Sequence, residues 1–291
     1  MKQTKLQAAK PRIEAFFETS SRKILKPGDL RNLFEENRSR WNLPKGISAN
    51  GFATFLVDEG IIARVDIDLP YRKEVRFLRG PLSPYAVALS LRPQSYLSHY
   101  TAVYLHHLTQ QVPKTIYVNS EQPPKRGGSR ALEQRRIDAA FRRPPRKSNN
   151  VALLGDLQVC AINGMQTGNL GVVEMEGPSG ETVAVTNLER TLIDIAVRPF
   201  YAGGVFEVLE AYRKAQGRAS INRLAAMLAQ LNYIYPYHQA VGFYLEKAGV
   251  FSESAVGLLR KPGMAYDFYL THQMKEVDYS PRWRLYFPKG L

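Results

Sequence analysis

The stretch "ISANGFATFLVDEGII", residues 47–62, decides how the N-terminal part of this chain folds. Ser48 has a hydroxyl suited to cap a helix start, Phe52, Phe55 and Leu56 fall on one helical face, and Gly60 supplies a left-handed stop. A helix capped at Ser48 and closed at Gly60 is expected, with Asn50 and Thr54 turned outward near its start. Upstream, Thr4 to Phe17 reads as a helix carrying Leu6, Ile13, Phe16 and Phe17, interrupted in pattern by Pro11. In "ILKPGDLRNLFEENRSRW", Pro27 and Asp29 mark a second helix start, and Leu30, Leu33 and Phe34 repeat at helical spacing. Downstream, "IIARVDI" and "EVRFLRG" flank "DLPYRK", which reads as a β-hairpin with a basic, aromatic tip.

Helix, helix, turn, helix, hairpin is the layout of a winged helix-turn-helix, whose third helix enters the major groove of DNA while the hairpin touches the backbone or the minor groove. Asn50 would pair with adenine, Thr54 would meet a base edge or a thymine methyl, and the helix start at Ser48 favours a phosphate. Arg38, Arg40 and Lys45 would neutralise phosphates from the preceding turn, and Tyr71, Arg72 and Lys73 would do so from the hairpin. The other reading of these residues is a solvated face on a unit that contacts protein.

The whole chain has 291 residues, long enough for two folded units, taken as residues 1–80 and 81–291. Its net charge of +14 suits a polyanion: nucleic acid first, an anionic membrane surface second. One cysteine, Cys160, excludes an internal disulfide and any multi-cysteine zinc site, and it sits in an apolar run as a small core residue. No apolar run approaches the roughly 20 residues needed to span a bilayer, and the N-terminus has no signal-peptide pattern, so the expected compartment is the cytoplasm.

In "SYLSHYTAVYLHHLTQQVPKTIYVNS", residues 95–120, three of the five histidines crowd together. A helix from about Ser95 would carry Leu97, Tyr100, Tyr104 and Leu108 as an apolar stripe. Helical metal sites need ligands three or four apart, whereas His106 and His107 are adjacent and His99 lies seven before His106. Packing is the expected role, with no metal and no cofactor. The basic run at 123–150 brackets a short helix near Ala131 to Phe141 and carries Arg135, Arg136, Arg142, Arg143, Arg146 and Lys147. It reads either as a linker or as a second surface for phosphates.

From Val151 the runs "VALL", "LQVCAI", "LGVVEME" and "ETVAVT" read as strands, followed by four helices and two closing strands, an α+β rather than a regularly alternating order. Arg190 and Asp194 lie one turn apart and read as a structural pair. Glu174 and Glu176 lack the lysine of a metal-dependent nuclease, and no phosphate-binding glycine loop is present, so no enzyme is expected.

Two passages, "YLSHYTAVYLHHLTQQVPKTIYVNS" and "VTNLERTLIDIAVRPFYAGGVFEVLEAY", together with the winged-helix layout, resemble the AbiEi-type antitoxins, regulators of abortive-infection toxin–antitoxin pairs. The resemblance implies an α+β chain in which an N-terminal winged helix-turn-helix binds inverted repeats in double-stranded DNA of its own promoter. It further implies a larger C-terminal domain that counteracts a nucleotidyltransferase-like toxin, without catalysis. One departure stands out: the third helix, "ANGFATF", has no Arg or Lys in its exposed first turns, which leaves more of the affinity to the hairpin and the basic run. The alternative is a protein- or RNA-interaction module that neutralises a toxin without sequence-specific DNA binding.

Overall fold

The computed structural model describes residues 5–123 and 131–291. Thr4, the expected first residue of the first helix, and residues 124–130 of the basic run lie outside the described residues. The chain is α+β, as its sequence pattern leads one to expect.

The N-terminal part consists of α1 (Lys5–Thr19), a two-residue strand β1 (Ile24–Leu25), α2 (Pro27–Asn37), α3 (Ala49–Asp58) and the hairpin strands β2 (Ala63–Leu69) and β3 (Arg72–Leu78). α1 runs through Pro11 and buries Ala9, Ile13 and Phe17 at i, i+4 and i+8. α2 begins at Pro27, and Asp29 accepts the backbone N–H of Lys26 at 2.9 Å. Trp41 is buried between them, its ring stacked 5.6 Å from Phe52 of α3 and meeting Phe16 of α1 edge-on at 5.4 Å. This aromatic cluster seats α3.

β2 and β3 pair from Ala63↔Leu78 to Leu69↔Arg72, so the hairpin turns on Pro70 and Tyr71 alone. Arg72 and Lys73, expected at the tip, are strand residues, and successive strand residues face opposite ways. One hairpin face carries Val75 and Phe77 into the helical core, and β1 extends this sheet along β3. The other face carries Val65, Ile67, Leu69 and Leu78 into a core shared with the rest of the chain.

That shared core is completed by α4 (Pro84–Leu89) and a six-stranded sheet. Its strands are β4 (Tyr96–Leu97), β5 (Thr115–Glu121), β6 (Val151–Leu154), β7 (Leu157–Gly164), β8 (Val172–Glu176) and β9 (Thr182–Thr186), in the order β6-β7-β5-β4-β9-β8. β5 runs parallel to β7 and β4 to β9, while the other neighbours are antiparallel. Between β4 and β5 lies α5 (His99–Leu105), and between β5 and β6 lies α6 (Gln134–Phe141). A helical layer follows, α7 (Leu188–Val197), α8 (Val205–Lys214), α9 (Ile221–Leu231), α10 (Tyr237–Ala248) and α11 (Glu253–Gly257), built on the largest apolar cluster. A small closing sheet is ordered β10 (Phe268–Tyr269), β12 (Leu285–Pro288), β11 (Val277–Ser280). Among the described residues no helix is long and apolar enough to cross a membrane.

The helix expected from Ser95 starts later. Tyr96 and Leu97 form the short β4 at the middle of the sheet, both buried, and residues in the left-handed region bracket it, Gln94 at φ 53° and His99 at φ 52°. The apolar run is satisfied by two buried sheet faces instead of one helical stripe.

The seam between hairpin and sheet holds a buried cation. Arg76, 1% exposed, donates from Nε to Ser90 Oγ and from Nη2 to the Ser90 carbonyl, each at 2.9 Å. Its Nη1 donates to the Val75 carbonyl at 2.8 Å and to Glu74 at 2.9 Å. Truncating one partner of such an arrangement leaves buried polar groups unmatched, so Arg76→Ala is expected to cost about 3 kcal/mol of stability. Urea unfolding of the two proteins measures this.

Candidate nucleic-acid interface

α3 begins as its sequence demands. Ser48 takes the extended cap conformation and its Oγ accepts the Gly51 N–H at 3.1 Å. Phe52 and Leu56 are buried, while Asn50, Gly51, Thr54 and Asp58 form an exposed strip at one-turn spacing. The strip is small in profile and has no cation, and its one charged member, Asp58, lies at the far end from Ser48. Positive charge comes from the preceding turn, where Arg40 and Lys45 are exposed. Arg38 is half-buried: its guanidinium lies 5.2 Å from the Phe34 ring and donates to the carbonyls of Pro44 and Lys45. It braces the loop that leads into α3, and offers only what remains of its donors to a phosphate.

The hairpin separates its two cations. Lys73 stands on the solvent side, its side chain 84% exposed and 3.7 Å from Asp68. Arg72 points the opposite way, ion-paired with Glu74 at 2.9 Å, and lines a cleft against the six-stranded sheet. Tyr71 at the turn is exposed, and its hydroxyl accepts from Asn149 Nδ2 at 2.7 Å, closing the hairpin tip onto the segment before β6.

The described part of the basic run is built into the fold. Ile137 and Phe141 of α6 enter the main apolar cluster, and Gln134 bonds the carbonyl of Asp267 at 2.8 Å. Arg135 and Arg136 both turn to Glu133, at 2.6 and 3.5 Å, whereas Arg142 and Arg143 are exposed and carry no ion pair among the described residues. Of the five arginines expected to meet phosphate along this run, Arg135 and Arg136 therefore share one carboxylate.

Compared with family models, and separately with curated proteins, the chain matches none. Among solved structures it is similar to the RV2827C protein from Mycobacterium tuberculosis. The two share a TM-score of 0.60 and 15% identity, over 96% of this chain and 91% of the other. A likeness at this identity concerns the fold.

The three crowded histidines go to three places. His99 is buried, its Nδ1 2.8 Å from Ser98 Oγ and its ring edge-on to Tyr201 at 5.2 Å. His106 donates from Nε2 to the Thr186 carbonyl at 2.6 Å, tying the end of α5 to β9, and His107 is exposed. Among the described residues no group of three His, Cys, Asp or Glu is arranged to hold a metal ion. Cys160 is buried, and burial pushes its thiol up to about 11.

Close to His99, Arg190 and Asp194 form an ion pair at 2.8 Å, with both side chains buried rather than on the surface. Arg190 also donates to the Leu170 carbonyl at 2.6 Å. Glu121 accepts the backbone N–H groups of Thr167 and Asn169, at 2.7 and 3.2 Å. These two side chains pin the 167–170 loop to the sheet. Burial pushes the Asp194 carboxyl above its ordinary value against the pull of Arg190 and Arg198. Burial also holds His99 well below its ordinary value, helped by Arg198 and Arg190, so the ring is neutral in the fold.

Two cations that face the cleft, Arg92 and Arg198, carry little signal in the sequence. Each directly precedes a proline at the end of a helical run, so each reads there as a helix terminator. In the fold that break aims the side chain away from the helix axis and into the cleft.

A neutral buried histidine makes stability depend on pH in a defined direction. Below about pH 6.5 the unfolded chain binds a proton that folded His99 refuses, so stability present above that pH is lost as pH falls. Asp194, with its raised value, acts oppositely in the acid range, so the comparison needed is between slopes. The stability of the parent is expected to fall more steeply than that of His99→Gln below pH 6.5, by up to about 1.4 kcal/mol per pH unit. Equal slopes in denaturant titrations across that range would refute a neutral His99.

Proposed function

We propose that this protein is a duplex-DNA-binding regulator of the AbiEi antitoxin type, acting in the cytoplasm on its own promoter. The observation that carries the reading is α3: a Ser48-capped helix, seated by Trp41 and Phe52, that presents Asn50 and Thr54 as an uncovered strip. Asn and Thr are base-edge readers, and the helix start adds backbone N–H groups for a phosphate. Lys45, Arg40 and Lys73 supply exposed positive charge in the same N-terminal unit, so phosphate contacts hold the unit in register while α3 chooses sequence. Counteraction of a nucleotidyltransferase-like toxin belongs to this proposal through the resemblance of the second unit, and no catalytic role is proposed.

A second reading, a protein- or RNA-interaction module, is favoured by the lack of any cation on the α3 strip and by the hairpin tip being closed onto Asn149.

Salt titration of binding to the DNA upstream of the protein's own gene, against random duplex, tests the first reading. A preference that persists as salt rises is expected, and equal binding at every salt concentration would favour the second. Asn50→Ala is expected to lose about 1 to 3 kcal/mol of discrimination at one base pair. Lys73→Ala should instead weaken all duplexes alike and lower the salt slope by about 0.9. Arg72→Ala, on the opposite face of the strand, should leave that slope nearer the parent's than Lys73→Ala does.

A further inference from the structure

Two adjoining cavities run along the second unit, of about 480 and 540 Å³, and Arg146 and Arg198 line both. The pair forms a continuous trough. Arg143 lies at one end, Arg72, Arg92 and Lys147 at the other, and not one Asp or Glu is among the described residues that line it. This is a marked segregation in a chain with 26 acidic residues. Three of these cations, Arg143, Arg146 and Arg198, make no side-chain ion pair or hydrogen bond among the described residues, and Lys147 only overlies the Phe200 ring at 5.8 Å. At the far end, Nη2 of Arg72 and Nε of Arg92 are buried donors with no acceptor. Like charges gathered in a cleft with donors unspent are held for an anion that supplies several acceptors.

The two ends differ in chemistry. The smaller cavity has an aromatic wall of Phe200, Tyr235, Tyr237 and His272, whereas the larger is lined by amides and hydroxyls, Gln122, Ser148, Asn149, Asn150 and Asn163 among them. A free polyphosphate would use the cations and leave the aromatic wall idle. A nucleoside triphosphate would call for cations at one end, but here they follow the trough from Arg143 through Arg146 and Arg198 to Arg92. Stacking surfaces combined with a line of cations match a strand in which bases and phosphates alternate. A duplex keeps its base faces stacked on one another and cannot offer them to the wall.

We propose that this trough binds single-stranded nucleic acid, with a base against Tyr235 and Tyr237 and successive phosphates on Arg146, Arg198 and Arg92. The site is separate from the α3 strip, and its existence does not depend on the duplex-binding reading. Tyr71, through its bond from Asn149, makes the hairpin turn one wall of the larger cavity.

Fluorescence anisotropy of the full chain with a labelled oligothymidylate and an oligouridylate of about 12 nucleotides tests this. Binding of either strand is expected. Arg146→Glu and Arg143→Glu replace exposed, unpaired side chains, so the fold should survive, which thermal unfolding checks. Each should weaken binding about tenfold or more and lower the salt slope by about 0.7 for every phosphate left without its cation. Tyr235→Leu keeps apolar bulk and should weaken binding about fivefold or more by removing the stacking surface. Failure of both oligonucleotides to bind would overturn the proposal. So would unchanged affinity in a folded Arg146→Glu protein, or displacement of the strand as readily by duplex, ATP or tripolyphosphate as by unlabelled strand. The same strand tested on the Asn50→Ala, Thr54→Ala double variant should bind as to the parent, and a loss there would place the strand on α3 and refute the trough.

Discussion

A single buried charge sets the relation between the two halves of the molecule. Arg76 lies in the hairpin of the N-terminal unit, yet two of its guanidinium nitrogens are spent on Ser90, at the end of the first helix of the second unit. A guanidinium shut away from water must have its donors matched, and the matching geometry exists only when the hairpin lies against α4. Around it Val65, Ile67, Leu69 and Leu78 join the apolar residues of the sheet, so this face of the hairpin is closed, while the opposite face stays open at Arg64, Asp66, Asp68 and Lys73. What reads in sequence as a wing is structurally a spacer between α3 and the six-stranded sheet.

Local chemistry was legible where it decided the backbone. Ser48 and Pro27 start their helices, the strand runs after Val151 pair as strands, and the four helices after Asn187 lie where periodicity puts them. Long-range chemistry was not. Leu97 belongs to a helical stripe by spacing, but a two-residue strand in mid-sheet has no period to detect, and its left-handed brackets at Gln94 and His99 are not glycines that would mark a break. Trp41 ends a charged run in the sequence and becomes the ring on which α3 rests. Of the candidate site, the exposure of Asn50 and Thr54 followed from helix geometry alone, whereas the burial of Arg190 with Asp194 depended on a loop twenty residues away.

Charge in this chain is sorted rather than merely abundant. Arg135 and Arg136 are partly answered by Glu133, Arg284 by Asp267, and Arg282 by Glu246 and Glu253, whereas Arg143, Arg146 and Arg198 line a trough with no carboxylate among the described residues. Total net charge therefore says that a polyanion is a fitting partner, and only the fold says on which surfaces the potential is strongest. The α3 strip, nearly neutral, and the trough, with no acid among the described residues that line it, are different in kind and suit different tasks.

The alternation of the hairpin strands has a consequence for how the molecule can vary. Arg72 and Lys73 are neighbours in sequence but serve opposite sides of one ribbon, and the register of β3, set by the turn at Pro70 and Tyr71 and by the buried Arg76 and Phe77, fixes which serves which. A one-residue slip of β3 would exchange them, moving Lys73 into the cleft and Arg72 into water, but it would turn every later side chain of the strand too, lifting Arg76 out of the seam and Val75 and Phe77 out of the helical core. The buried side chains farther along β3 are thus an address for charge, holding each of the two cations near the turn on its own surface.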